Sequence, residues 1–211
     1  MDIEIARHVL TPEVVSHLDT EPFEVICEKL HTMARPRFLA MMNELGKCLP
    51  PDEFYLEVGT YQGTSLIGTL LGNKAKAIAN DDFSQFPETN SLSLFMQNIT
   101  DFGVADRVDV RTMHCDRMFE MLKSQNIGLY YFDGSHGEES TLNGLEKAYP
   151  FIVENGLIVL DDTFYDCVGW GINSFIAKYP RTIRIVFAVS PYHDFHPTWW
   201  NGTIVLQKFS R

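Results

Sequence analysis

The chain has no long hydrophobic run; nowhere in its 211 residues does it approach the roughly 20 consecutive apolar residues that cross a bilayer. The opening Met1-Asp2-Ile3-Glu4 lacks the basic stretch and apolar core of a secretory signal, so the expectation is a cytoplasmic protein without a membrane partner. Cysteine is scarce and scattered. Cys27, Cys48, Cys115 and Cys167 form no CxxC pair, which argues against a disulfide framework or zinc ribbon and predicts free thiols. Basic residues are outnumbered, with 17 Lys and Arg against 28 Asp and Glu and a net charge of −11. Partners built on a phosphate backbone usually meet a basic face, so this balance argues against nucleic acid. Internal repeats, low-complexity tracts and the G-x-G-x-x-G turn of a dinucleotide site are also missing.

What remains is a globular composition, 45% hydrophobic, with the length of one domain plus a small addition. Its organising stretch is Glu57-Val58-Gly59-Thr60-Tyr61-Gln62-Gly63-Thr64-Ser65, entered from the apolar run Phe54-Tyr55-Leu56. The pattern reads as strand, tight turn and helix start. Glycine lacks a Cβ and tolerates positive φ, so the backbone there can come close to a ligand, and the helix start adds unpaired N–H groups. Glu57 stands where a pyrophosphate would be repelled, which points away from dinucleotides.

Residues 1–50 read as a helical addition to a domain over 51–211. Thr11-Pro12-Glu13 is a helix start, and Phe23, Ile26, Cys27, Leu30 and Met33 recur on one apolar face. A further helix opens at Pro36, buries Phe38, Met41, Met42 and Leu45, and stops near Gly46. This segment either covers a sheet edge or serves as a lid or homodimer contact. From residue 54 the periods alternate. Strands are expected over 54–58, 76–81, 107–112, 127–133, 156–161, 182–189 and 203–209. Helices are expected over 63–72, 88–102, from Asp116, and over 138–153 and 167–179. Such alternation predicts an α/β fold: a mostly parallel seven-stranded sheet, helices on both faces, and an antiparallel last strand.

In open α/β sheets ligands bind beyond the carboxyl ends of the strands. Acid stands at or just after five of those ends: Glu57, Asp81-Asp82, Asp116, Asp133 and Asp161-Asp162. A cationic or hydroxyl-rich ligand, with or without a metal ion, suits such a rim. Ends of adjacent parallel strands would bring Asp133 and Asp161 side by side, where three carboxylates repel one another unless a hard cation such as Mg²⁺ is shared. Separate helix caps and solvated loop acids are the alternative.

Glu57-x-Gly59-x-x-x-Gly63-x-Ser65, followed by Asp81 and Asp116, resembles the motif order of class I S-adenosylmethionine-dependent methyltransferases. The resemblance runs over about residues 54–165 and implies a Rossmann-like methyltransferase fold. It places Glu57, Gly59, Thr60, Tyr61, Gly63, Ser65, Asp81, Asp116 and Asp133 around S-adenosylmethionine, with Asp81 on the ribose hydroxyls and Asp116 on the adenine amino group. The run Ile127 to His136, followed by Ile158-Val159-Leu160-Asp161-Asp162, is similar to the divalent-metal-dependent small-molecule O-methyltransferases of the catechol, caffeoyl-CoA and macrolide-sugar types. That likeness implies a small-molecule hydroxyl acceptor and Mg²⁺ or a similar ion on Asp133, Asp161 and Asp162. His136 stands where the catechol and caffeoyl-CoA enzymes carry a lysine base. It is either the general base, a group that orients another residue, or a loop histidine of no catalytic consequence.

The aromatic loop Ser190 to Asn201 starts on the ligand edge; its rings either wall a pocket or pack on the closing hairpin. His193-x-x-His196 lacks a partner set for a metal. A non-catalytic nucleotide- or S-adenosylmethionine-binding module, or a same-fold enzyme with other metal chemistry, stays open beside the methyltransferase reading.

Overall fold

Strand–helix alternation in the sequence becomes a single seven-stranded sheet in the computed structural model, which describes residues 1–30, 32–123 and 125–210. Four helices precede it: α1 (Ile3–Val9), α2 (Pro12–His17), α3 (Glu21–Lys29) and α4 (Pro36–Lys47). Then follow β1 (Glu53–Val58), α5 (Thr64–Leu70), β2 (Lys76–Asp81), α6 (Ser91–Asp101), β3 (Val108–Thr112) and α7 (Cys115–Met121). The chain closes with β4 (Asn126–Phe132), α8 (Glu138–Ala148), β5 (Ile152–Asp161), α9 (Asp166–Lys178), β6 (Ile183–Val189) and β7 (Thr203–Lys208). The strand order is β3-β2-β1-β4-β5-β7-β6, with β7 antiparallel to both its neighbours and the remaining pairs parallel. This is the Rossmann-like methyltransferase fold. No helix among the described residues is long and apolar enough to cross a membrane.

Successive strand side chains point to opposite faces, so each strand feeds two cores. Tyr55, Tyr131 and Val159 enter one core with α1 to α6, while Leu56, Tyr130, Phe132 and Ile158 enter the other with α7 to α9. The first 50 residues therefore cover a sheet face rather than an edge. Ala6, Val15, Ile26 and Leu39 share one core with Leu66, Ala79 and Val205.

Thr11 caps α2 as its sequence predicts, accepting from the Val14 amide at 3.4 Å. α4 stops at Lys47, one residue past Gly46 and so where expected, and α5 crosses there so closely that a Cβ on Gly46 would stand 2.8 Å from the Thr69 carbonyl oxygen. Two local expectations differ. Met33 is not on the apolar face of a long helix; α3 stops at Lys29, and Met33 is 43% exposed in the connection to α4. α8 ends at Ala148, where Pro150 follows within one turn, and β5 begins at Ile152 instead of 156. All four cysteines are free, as their spacing predicts.

Candidate active site

The glycine turn is built by contact with the neighbouring strand. Gly59 adopts φ +88°, and a Cβ there would lie 1.9 Å from the Asp133 carbonyl oxygen. Its amide donates to Asn80 at 2.9 Å, while the Asp133 amide donates to Val58 at 2.9 Å. Gly63, also left-handed at φ +87°, turns the chain into α5. The turn thus sits wedged between β2 and β4, at the point where the strand order reverses.

A cleft in two lobes opens over this turn. One lobe is walled by Thr60, Tyr61, Ser65, Met33 and Trp200 together with the acids of β4 and β5. The other runs over Asp81, Asp82, His114, Cys115 and Asn143. Gly59, Asp81, Asp133 and His136 border both. The aromatic loop contributes Trp200 to the wall, and the guanidinium of Arg35 stacks 4.4 Å from its ring centre. Trp199 packs instead on Phe187 of the hairpin, so the loop does both things that its sequence left open.

The expected cofactor residues divide. Gly59, Thr60, Tyr61, Ser65, Asp81 and Asp133 line the cleft. Glu57 does not: it stands fully buried behind the turn, accepting from the Ser65 hydroxyl at 2.7 Å and from the Tyr55 hydroxyl. Burial pushes its carboxyl up to about 8, so at neutral pH it holds a proton and fixes the turn to α5 rather than facing a ligand. Gly63 is likewise a backbone element outside the lining, shaping the turn beneath Phe95. Asp81 braces the turn as well, its carboxylate accepting from the Tyr61 amide at 2.8 Å and the Phe83 amide at 2.7 Å.

Asp116 departs furthest from the expectation. Its carboxylate lies outside the lining, paired with Lys147 at 2.6 Å and with Asn143 at 3.0 Å, and the Lys147 hydrogen bond holds its pKa below the usual range. His114, Cys115 and Asn143 form the wall there instead.

Beyond the paired residues Val58, Phe132 and Leu160, the next positions of β1, β4 and β5 are Gly59, Asp133 and Asp161. The period of two puts both acids on the face covered by the N-terminal helices. Tyr131, two residues before Asp133, shares that face; its hydroxyl donates to Asp161 at 2.6 Å and reaches Asp133 at 3.3 Å. Asp162 turns the other way, through a left-handed φ of +55°, and is buried; its Oδ1 accepts from Asn201 at 2.5 Å. Its Oδ2 lies 2.8 Å from His136 Nε2, which is also 3.6 Å from Asp133 Oδ1.

These contacts set the charges. Hydrogen bonds to Asp133 and then Asp162 push the His136 imidazole up to about 10, so it carries a proton at neutral pH and cannot accept one in this arrangement. Burial raises Asp133 to about 6 and Asp161 well above the carboxylate range, with neighbouring carboxylates adding to the Asp161 shift. The donor set has a specific composition. One atom each from Asp133, His136 and Asp162 lies within 4.8 Å of the other two, while Asp161 is drawn aside to Tyr131. Those three fit a divalent cation, with His136 in the place expected for Asp161.

Sequence reasoning missed Tyr131 and Asn201. Period-two spacing before Asp133 was the available signal for Tyr131. Nothing in the sequence pairs Asn201 with Asp162, which lies 39 residues away.

A methyltransferase-domain family model matches residues 56–163, just over half of the 211-residue chain. Solved structures share the fold across most of its length. The O-methyltransferase TomG from Streptomyces achromogenes, involved in tomaymycin synthesis and solved with S-adenosylmethionine, is 14% identical, with 100% of both chains covered and a TM-score of 0.67. An O-methyltransferase from Bacillus cereus, solved with S-adenosylhomocysteine, is 17% identical over 98% of this chain and 90% of that one, with a TM-score of 0.60. An rRNA methylase from Streptococcus thermophilus is 15% identical over 82% of this chain and 96% of that one, with a TM-score of 0.61. At these identities the likeness shows the fold alone. No curated protein matches the chain in sequence.

Proposed function

The chain belongs to the methyltransferase-domain family, and from that premise we propose that it transfers the methyl group of S-adenosylmethionine to a hydroxyl oxygen of a small molecule, assisted by a divalent cation. The observation that carries this reading is the convergence of Asp133, His136 and Asp162, with Asp161 beside them, on the wall of the cleft whose floor is the Gly59 turn.

A sulfonium cofactor brings positive charge and an electrophilic methyl. The acid wall suits that charge, and Asp81 and Asp82 stand where ribose hydroxyls could donate to them. Asp133 and Asp162 would hold the cation, which lowers the pKa of an acceptor hydroxyl and fixes its orientation. Asp161 is engaged by the Tyr131 hydroxyl outside the converging donors, and burial favours its protonated form, so it is assigned no base role; the acceptor's proton would leave to water in the cleft. His136 lies between Asp133 and Asp162, which keep it protonated when no ion is bound. Met33 and Trp200 give the donor lobe apolar walls that limit water.

An RNA acceptor fits poorly with a net charge of −11, whatever folds are shared. The test is transfer of labelled methyl to a panel of catechols and sugars, with and without chelator. Label in a hydroxyl product that chelator suppresses supports the reading. Transfer indifferent to chelator would remove the cation and leave the methyl chemistry. No labelled acceptor in the panel, despite bound cofactor, would count against this substrate class.

A further inference from the structure

We propose that His136 is a nitrogen ligand of the divalent cation, and that the site therefore selects a first-row transition ion over Mg²⁺. This goes beyond the cation named under the proposed function, and it stands or falls on ion binding whether or not methyl transfer is observed.

His136 Nε2 lies 2.8 Å from Asp162 Oδ2 and 3.6 Å from Asp133 Oδ1, and the third separation in the set is within 4.8 Å. Around an octahedral ion with bonds of about 2.1 Å, adjacent ligand atoms stand about 3.0 Å apart and opposite ones about 4.2 Å. The three side chains already hold their donor atoms at separations of that order, and the ion would take the place of the proton that His136 Nε2 shares with the two carboxylates, releasing it to solvent.

Each donor is also held from behind. Asn201 fixes the far oxygen of Asp162 at 2.5 Å, and the left-handed backbone of Asp162 aims its carboxylate at His136. Tyr131 touches the far oxygen of Asp133 at 3.3 Å. The His136 carbonyl accepts from the Cys167 thiol at 2.8 Å, tying the loop that carries the imidazole to α9. Ligands oriented by a second layer of contacts are the usual construction of a metal centre.

Donor chemistry then decides the ion. Mg²⁺ takes oxygen ligands and binds imidazole poorly. An all-carboxylate set would need Asp161, yet its Oδ2 is engaged by the Tyr131 hydroxyl at 2.6 Å and no Asp161 atom belongs to the converging group. Replacing that oxygen with an imidazole nitrogen shifts preference toward borderline ions, for which two carboxylates and one imidazole are a natural set with positions left for water or substrate oxygen.

The experiment uses the untagged full chain and two probes, Mn²⁺ and Mg²⁺. Calorimetry with each ion gives the preference, and pulsed electron paramagnetic resonance of the Mn²⁺-loaded protein reads nitrogen directly bound to the ion. The expected result is Mn²⁺ binding at one site at least about ten-fold tighter than Mg²⁺, with ¹⁴N modulation from one imidazole. His136→Gln should remove the modulation and weaken Mn²⁺ by about ten-fold or more, since even outer-layer changes cost that much. His193→Gln should leave both unchanged. Mn²⁺ bound without nitrogen modulation, Mg²⁺ bound as tightly as Mn²⁺, or no ion bound at all would each overturn the proposal. The nitrogen signal and ion preference are read on the unaltered protein, so misfolding of a variant cannot rescue it.

Discussion

Asn201, in the loop between β6 and β7, donates its side-chain amide to Asp162 at 2.5 Å and so ties that loop to the end of β5. Both residues are buried, and Asp162 holds a left-handed backbone that few non-glycine residues adopt. Replacing Asn201 with Leu leaves the aspartate without that donor. Hydrogen bonds to charged groups contribute about 1.5–3 kcal/mol, and a loss of that size is expected in urea unfolding. Cofactor affinity should change little, because Asn201 is not in the cleft lining, while methyl transfer should fall at least ten-fold. Equal losses of binding and transfer would place Asn201 in general folding rather than in the acid wall.

Gly59 tests the floor of the cleft. An alanine Cβ would stand 1.9 Å from the Asp133 carbonyl oxygen and would force a residue at φ +88°. Gly59→Ala should cost at least about 1–3 kcal/mol from backbone strain alone and abolish cofactor binding by parting β1 from β4. Gly72→Ala is the matched control: it too has positive φ, at +66°, but nothing lies within 4 Å of its Cβ. That variant should show strain in unfolding and bind cofactor normally.

Glu57 predicts how stability follows pH. Its carboxyl, with an ordinary value of 4.5, is held at about 8 in the fold, so between those values the folded state binds more protons than the unfolded one. Stability is then full below pH 4.5 and falls as pH rises through about 8, with a slope of at most about 1.4 kcal/mol per pH unit from this group. His136, raised from 6.5 to about 10, adds a loss of the same sign at higher pH. Urea midpoints across pH 5 to pH 9 would show the decline, and Glu57→Gln should flatten its lower part. A midpoint that rises over that range would contradict a protonated Glu57.

Much of the fold and less of the site were legible in the sequence. Alternating periods from residue 54 gave all seven strands, because a buried parallel strand needs a run such as Ile127 to Phe132 that no surface element tolerates. The turn at Gly59 was legible because only glycine fits against Asp133. Motif position did not reveal where side chains point. Glu57 and Asp116 hold the expected places in the chain, yet one is spent on Tyr55 and Ser65 and the other on Lys147. His136 is the same lesson at the acid wall, where its partners come from 133 and 162.

Asp116 provides a check on that distinction. Its carboxylate is 40% exposed and paired with Lys147, an arrangement that contributes about 0–1 kcal/mol. Asp116→Asn should alter stability by no more than that and leave cofactor affinity within about three-fold, roughly 0.6 kcal/mol. A loss of a hundred-fold would return Asp116 to the adenine site.

The most direct measurement is calorimetric titration of S-adenosylmethionine into the full chain, repeated with Gly59→Ala. One site per chain, lost in the Gly59 variant and competed by S-adenosylhomocysteine, is the expected result. Absence of binding to the unaltered protein at millimolar cofactor would contradict the assignment of the Gly59 cleft as a methyl-donor site.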